Sequence, residues 1–114
     1  MLSEALRLAH AHPSTGRYKV CAIARDKAGN VLAIGYNSYE KTHPLQARAA
    51  AKANQPGKIY LHAEIAALVK SRGMVYSLSV ARTTKDGKAA LAEPCPVCRL
   101  AMKEAGVKLV EWTT

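Results

Sequence analysis

The sequence predicts an α/β fold built on a mixed sheet of about four strands, and three observations carry that prediction. Two strand-like runs, Tyr18 to Arg25 and Val31 to Asn37, flank Asp26-Lys27-Ala28-Gly29-Asn30, whose composition is that of a hairpin turn. Their pairing is therefore antiparallel. The second half alternates helix, strand, helix, strand, an order that pairs its two strands in parallel through a right-handed crossover. At 114 residues the chain is long enough for one hydrophobic core and too short for two, so residues 1–114 are expected to form a single compact domain.

Each element follows from its local pattern. Leu2, Ala5, Leu6 and Ala9 form the stripe of an amphipathic helix from Leu2 to His10, which His12-Pro13-Ser14-Thr15-Gly16 ends. After the hairpin, Ser38 to Leu61 is irregular, with an Ala-rich basic piece from Gln46 to Ala53 that suits a short helix before Asn54-Gln55-Pro56-Gly57. A loop of this length is often functional. His62 to Arg72 places Ile65, Leu68 and Val69 on one helical face, with Gly73 where a C-terminal cap is favoured. Met74 to Thr83 has the two-residue period of a strand, Asp86-Gly87 marks a turn, and Pro94 to Ala105 reads as a helix ended by Gly106. Val107 to Trp112 is the last strand. No internal repeat, low-complexity tract or domain linker interrupts this order.

Composition narrows the setting. The chain is 49% hydrophobic without any Phe, so Ala, Val, Leu and Ile carry the core. Glu4 and Arg7 fall where a secretory signal would be uninterruptedly apolar, and no run reaches membrane-spanning length, which points to the cytoplasm and no membrane partner. Three Cys give no even disulfide framework. Cys21, inside a strand, reads as a small buried hydrophobe, whereas a Cys-x-x-Cys in a reducing compartment is more often metal-binding or redox-active. Seventeen Lys and Arg against eight Asp and Glu leave a formal charge of +9, spread from Arg7 to Lys108. Such an excess favours a phosphate-bearing partner, although a merely soluble basic surface has the same composition.

The chemistry sits in two short segments, His62-Ala63-Glu64 and Pro94-Cys95-Pro96-Val97-Cys98. They supply three zinc-type ligands, His62, Cys95 and Cys98, and one acid not needed as a ligand. A structural zinc site usually closes with four protein ligands, while a catalytic one keeps three and leaves room for water. Both segments open helices, so a parallel arrangement brings two helix N-termini together at the sheet edge where open α/β folds bind ligands. Cys95 and Cys98 share a helix face and gain from the dipole and the unpaired N–H groups of the first turn. His62 and Glu64 would point about 200° apart on a regular helix, so they are not equivalent ligands. With His62 at or before the N-cap, Glu64 is left to face the water. Taken singly, a Cys-x-x-Cys also serves as a redox pair or half a zinc ribbon, His62 as a surface cap, and Glu64 as a solvated first-turn acid. His43 reads as a loop residue, and His10 and His12 as helix-end residues.

His-x-Glu followed by Pro-Cys-x-x-Cys is the signature of zinc-dependent nucleobase deaminases. On these residues the chain resembles the cytidine and deoxycytidylate deaminase superfamily. The wording is nearest the branch of deoxycytidylate deaminases and bacterial tRNA adenosine deaminases: His62-Ala63-Glu64-Ile65 with Ala67-Leu68, and Glu93-Pro94-Cys95 and Cys98 with Ala101-Met102. The similarity is strong from about Leu61 to Trp112 and weaker before. It implies a three-layer α/β/α cytidine deaminase-like fold, truncated after the fourth strand, because many relatives continue past the point where this chain has Trp112-Thr113-Thr114. It implies one zinc ion per chain with a bound water, held by His62, Cys95 and Cys98, and Glu64 as the catalytic proton shuttle. Gly35-Tyr36-Asn37 looks like the Gly-x-Asn segment whose Asn binds the substrate sugar, with a turn-forming Asn as the plain alternative for Asn37. The Ala63 main-chain N–H is expected to meet the base.

The expected reaction is hydrolytic deamination, cytosine to uracil in a (deoxy)cytidine nucleotide. Action on cytosine or adenine in single-stranded nucleic acid or tRNA is the alternative, and a non-catalytic zinc-stabilised binding module the third reading. Few aromatics are available for base stacking, which weighs against a large single-strand platform. A final strand at the sheet edge needs protection, so a homo-oligomer is expected.

Overall fold

β1 (Lys19–Arg25) lies between two antiparallel neighbours, β2 (Val31–Tyr36) on one side and β3 (Ser77–Thr83) on the other. The computed structural model describes residues 2–12, 19–38, 41–55, 57, 60–72, 74–84 and 86–114. The far edge of β3 is shared by two strands. β5 (Leu109–Trp112) runs parallel to Ser77–Val80, and the two-residue β4 (Ala89–Ala90) runs antiparallel to Arg82 and Thr83. The expected hairpin and the expected parallel crossover are both present.

Strand alternation assigns the two faces. Cys21, Ile23 and Ala81 pack under α1 (Leu2–Ala11), meeting its buried Ala5 and Ala9. Ala22, Ala24, Leu78 and Val80 face the opposite layer, which holds α2 (Pro44–Lys52), α3 (Ala63–Ser71) and α4 (Pro96–Glu104). The result is the three-layer α/β/α arrangement. Arg25 is buried on the α1 side. Its guanidinium is paired with Glu4 at 3.3 Å and donates to Ser79 Oγ at 3.1 Å, while Ser79 Oγ donates to Glu111 Oε1 at 2.7 Å. A buried charge needs such partners, and these tie α1 to three strands.

Three differences from the sequence reading have local causes. The sheet has five strands because the chain after Asp86-Gly87 folds back along Arg82 and Thr83. β3 starts at Ser77 rather than Met74, since the Met74 N–H turns back to the Ser71 carbonyl and the register with β1 ends at Arg25 opposite Ser77. α3 ends on Arg72 in the left-handed region, φ 55°, and the Gly73 expected as the cap lies outside the described residues, as does Tyr18. No described helix is long and apolar enough to cross a membrane.

Candidate metal centre and active site

The site begins with how α3 reaches the sheet. Gly35, near the end of β2, sits directly beneath it: a β-carbon there would collide with the Ala63 carbonyl oxygen and lie 2.5 Å from the Ala67 nitrogen. The absent side chain lets the start of α3 press against β2. His62 is then the N-cap, extended at φ −84°, ψ 154°, and its side chain makes no capping bond. Its main-chain N–H instead donates to Gln46 Oε1 at 3.2 Å, from a fully buried Gln on α2. Cys95 is the N-cap of α4 in a similar extended conformation, again without a side-chain cap, and Pro96 fills the first helical position, where no donor is required. Cys98 follows in the first turn.

Two caps whose side chains are not spent on capping can point at each other. His62 Nδ1 lies 3.1 Å from Cys98 Sγ and 3.6 Å from Cys95 Sγ, and the three donor atoms all fall within 4.8 Å of one another. Tetrahedral zinc with ordinary bond lengths separates nitrogen from sulfur by about 3.6 Å and sulfur from sulfur by about 3.8 Å. The donor set fits that ion. Among the described residues this is the one trio of His, Cys, Asp or Glu placed to hold a metal.

The charges in the trio point the same way. A hydrogen bond from the Cys98 thiol is the main cause that brings Cys95 down to about 3, against a burial effect of opposite sign. That bond, with burial, pushes Cys98 well above the thiol range. A divalent ion would balance two thiolates, Cys98 buried and Cys95 partly buried, with proton release on binding. Cys21, by contrast, is walled off in the core, where burial alone raises its thiol to about 12.

Glu64 lies beside this cluster and not in it. Its carboxyl is buried, and that burial pushes its pKa upward, opposed by its own main-chain N–H and by the neighbouring His62. A cavity of about 440 Å³ opens in front of these groups, and His62, Ala63, Glu64, Cys95 and Asn37 all line it. Asn37 Oδ1 accepts from the Val20 N–H at 2.9 Å and its own N–H donates to the Val20 carbonyl at 3.2 Å, so the residue locks the ends of β1 and β2 while facing the cavity. All six residues singled out from the sequence are thus gathered in one place.

Sequence reasoning missed others. Arg82 and Tyr60 line the same cavity, Gln46 holds the His62 backbone, and Thr113 fastens the Ala90–Ala92 stretch of its rim. Of these, only Arg82 carried a signal, sharing strand parity with Leu78 and Val80. His43 is the N-cap of α2, its Nδ1 accepting from the Leu45 N–H at 3.0 Å. His12 stacks on Tyr36 with ring centroids 4.1 Å apart. A separate hollow of about 300 Å³ between α2 and α4 shares none of the site residues.

The whole chain, residues 1–114, matches the family model for the cytidine and deoxycytidylate deaminase zinc-binding region. No curated protein sequence matches it. Among solved structures, the fold is similar to cytidine deaminase from Mycobacterium tuberculosis, with a TM-score of 0.55 at 21% identity over 97% of this chain and 80% of that one. A point mutant of the same enzyme gives the same TM-score and identity, with 81% of that chain covered. At this identity the likeness is one of fold.

Proposed function

The chain belongs to the cytidine and deoxycytidylate deaminase family, and from that premise we propose that it hydrolytically deaminates cytosine to uracil in a (deoxy)cytidine nucleotide. One observation carries the reading: a buried carboxyl, Glu64, stands beside three metal-type donors without being one of them. We treat residues 1–114 as one catalytic domain.

His62 Nδ1, Cys95 Sγ and Cys98 Sγ would hold a zinc ion, which would supply Lewis acidity to the site. Glu64 takes a proton from the attacking water onto a carboxylate oxygen and delivers it to ring N3 as oxygen adds to C4. The second proton of that water passes through the same carboxyl to the exocyclic amine, which leaves as ammonia, so that cytosine and water give uracil and ammonia. A carboxyl whose pKa is raised by burial suits both tasks, because general acid–base catalysis works best with a pKa near the working pH. The Ala63 N–H orients the base and Asn37 meets the sugar, both from the cavity lining.

A second reading, action on cytosine or adenine in single-stranded nucleic acid or tRNA, draws on the charge of +9 and on Tyr60, half exposed on the cavity lining, where a neighbouring base can stack. A homo-oligomer is favoured by β5, an edge strand that carries the exposed Leu109. Three free cysteines, two of them proposed as metal thiolates, suit a reducing cytoplasm.

The test is mass-spectrometric detection of a one-unit mass gain across nucleosides, nucleotides, single-stranded DNA and tRNA incubated with zinc-loaded protein. Conversion of free cytosine nucleotides is expected. Conversion of oligonucleotides alone would favour the second reading, and no conversion at all would leave a zinc-stabilised binding module.

A further inference from the structure

We infer that Arg82 is the residue that recognises a phosphate on the substrate, so that the site selects a phosphate ester of a cytosine nucleoside over the free nucleoside. The inference rests on the deaminase reading above and names its substrate class.

Strand parity sets the direction of the side chain. Leu78 and Val80 of β3 point into the core beneath α3 and α4, and Arg82, two residues on, points to the same face just past the end of that core. There it lines the cavity with Glu64, and it is the one arginine or lysine among the described residues that do so. Register fixes what lies beside it. Val20 pairs with Arg82 across β1 and β3, and Val20 exchanges its main-chain bonds with Asn37 at the end of β2. Asn37, Val20 and Arg82 therefore form one row across the cavity floor. Two strand spacings separate the ends of that row, roughly 10 Å between main chains. A sugar held at Asn37 would thus have a guanidinium further along the same row.

The surroundings hold that cation in place. The Arg82 main-chain N–H donates to Thr113 Oγ1 at 3.1 Å, and Nη1 reaches the Leu91 carbonyl at 3.4 Å on the rim. Of the two carboxylates on the lining, Glu64 and Glu93, the second is ion-paired with Arg99 at 3.0 Å. Half-buried, Arg82 meets an anion in a medium less screening than water, and its planar donors match phosphate oxygens. A 5′-mononucleotide and a nucleic-acid backbone both present this chemistry.

The test compares Arg82→Gln and Arg82→Lys with wild type in two readouts. The first is kcat/KM for deoxycytidine, dCMP and a short deoxyoligonucleotide containing one cytosine. The second is calorimetric binding of dCMP and deoxycytidine to the zinc-loaded proteins, which does not depend on turnover. For Arg82→Gln the preference for a phosphate-bearing substrate over deoxycytidine should fall about 10- to 100-fold, mainly through KM, on the scale of a lost charge-assisted hydrogen bond. Arg82→Lys should restore part of it. A fall for dCMP identifies the mononucleotide as the source of the phosphate, and a fall confined to the oligonucleotide identifies the strand backbone. Preference and binding ratios unchanged in Arg82→Gln would overturn the assignment. Absence of turnover in wild type, with dCMP binding still weakened by Arg82→Gln, would sink the deaminase reading and leave the phosphate site standing.

Discussion

Gly35 and Ala63 touch through their backbones: the bare α-carbon of one lies against the carbonyl of the other, with no space for a side chain between them. Because Ala63 is the first residue of α3 and follows His62, this contact sets the height of both the metal ligand and Glu64 above the sheet. Gly35→Ala should lower stability by about 1–3 kcal/mol, the usual range for overpacking, and should also weaken zinc binding. Thermal unfolding with zinc measured per chain checks this. An alanine variant with unchanged melting temperature and full zinc content would show that the approach is not required.

Gln46 acts on His62 from the other side. Gln46→Leu keeps the buried volume but removes the acceptor for the His62 N–H. Zinc affinity should drop about 10-fold, as for other residues that orient a ligand, and Gln46→Glu, which keeps an acceptor, should recover part of it. Competition against a fluorescent chelator reads both. Equal zinc affinity in all three proteins would remove Gln46 from the account.

The raised pKa of Glu64 has a consequence for the metal-free protein. Its folded pKa lies above the unfolded value of about 4.3, so the ionised form costs more in the fold. Below the unfolded pKa both states are protonated and the penalty is absent. Stability is lost as pH rises from there toward the folded pKa, and the whole penalty is present above it. Metal-free Glu64→Gln should therefore be more stable than wild type at pH 7 and equal to it below about pH 4. Urea unfolding at the two pH values decides, and a stability gain of the same size at both would contradict the shift.

Thr113 fastens the cavity rim. Its hydroxyl donates to the Ala90 carbonyl at 2.6 Å and accepts from the Arg82 N–H at 3.1 Å. Thr113→Val should cost about 1–3 kcal/mol, the range for leaving buried polar groups unpaired, and should speed amide hydrogen exchange at Arg82. Unaltered exchange there would show that the latch is not formed in solution.

What the sequence made legible was chemistry carried by local pattern. A His two residues before a Glu, and Pro-Cys before a second Cys three positions on, specify helix starts; His62 is the N-cap of α3 as expected, while α4 starts at Pro96 with Cys95 as its N-cap rather than at Pro94. Asp26 to Asn30 specified the hairpin through its turn residues. Gln46 and Thr113 were illegible because their roles depend on which backbone groups tertiary packing brings to them, and neither belongs to a spacing rule. β4 was missed for the same reason: Ala89-Ala90 has no strand pattern, and it pairs only because the turn at Gly87 returns it to β3. His43-Pro44 did carry a readable signal, a cap followed by Pro, which would have moved the start of α2 from Gln46 to Pro44.

The most direct test of the account replaces Glu64 by Gln and measures zinc content and uracil formation from dCMP on the same preparation. One zinc per chain is expected in both proteins, with a rate at least about 10²-fold lower in the variant, the scale of a lost general acid–base group. A Glu64→Gln protein that binds zinc and still forms uracil at the wild-type rate would contradict it.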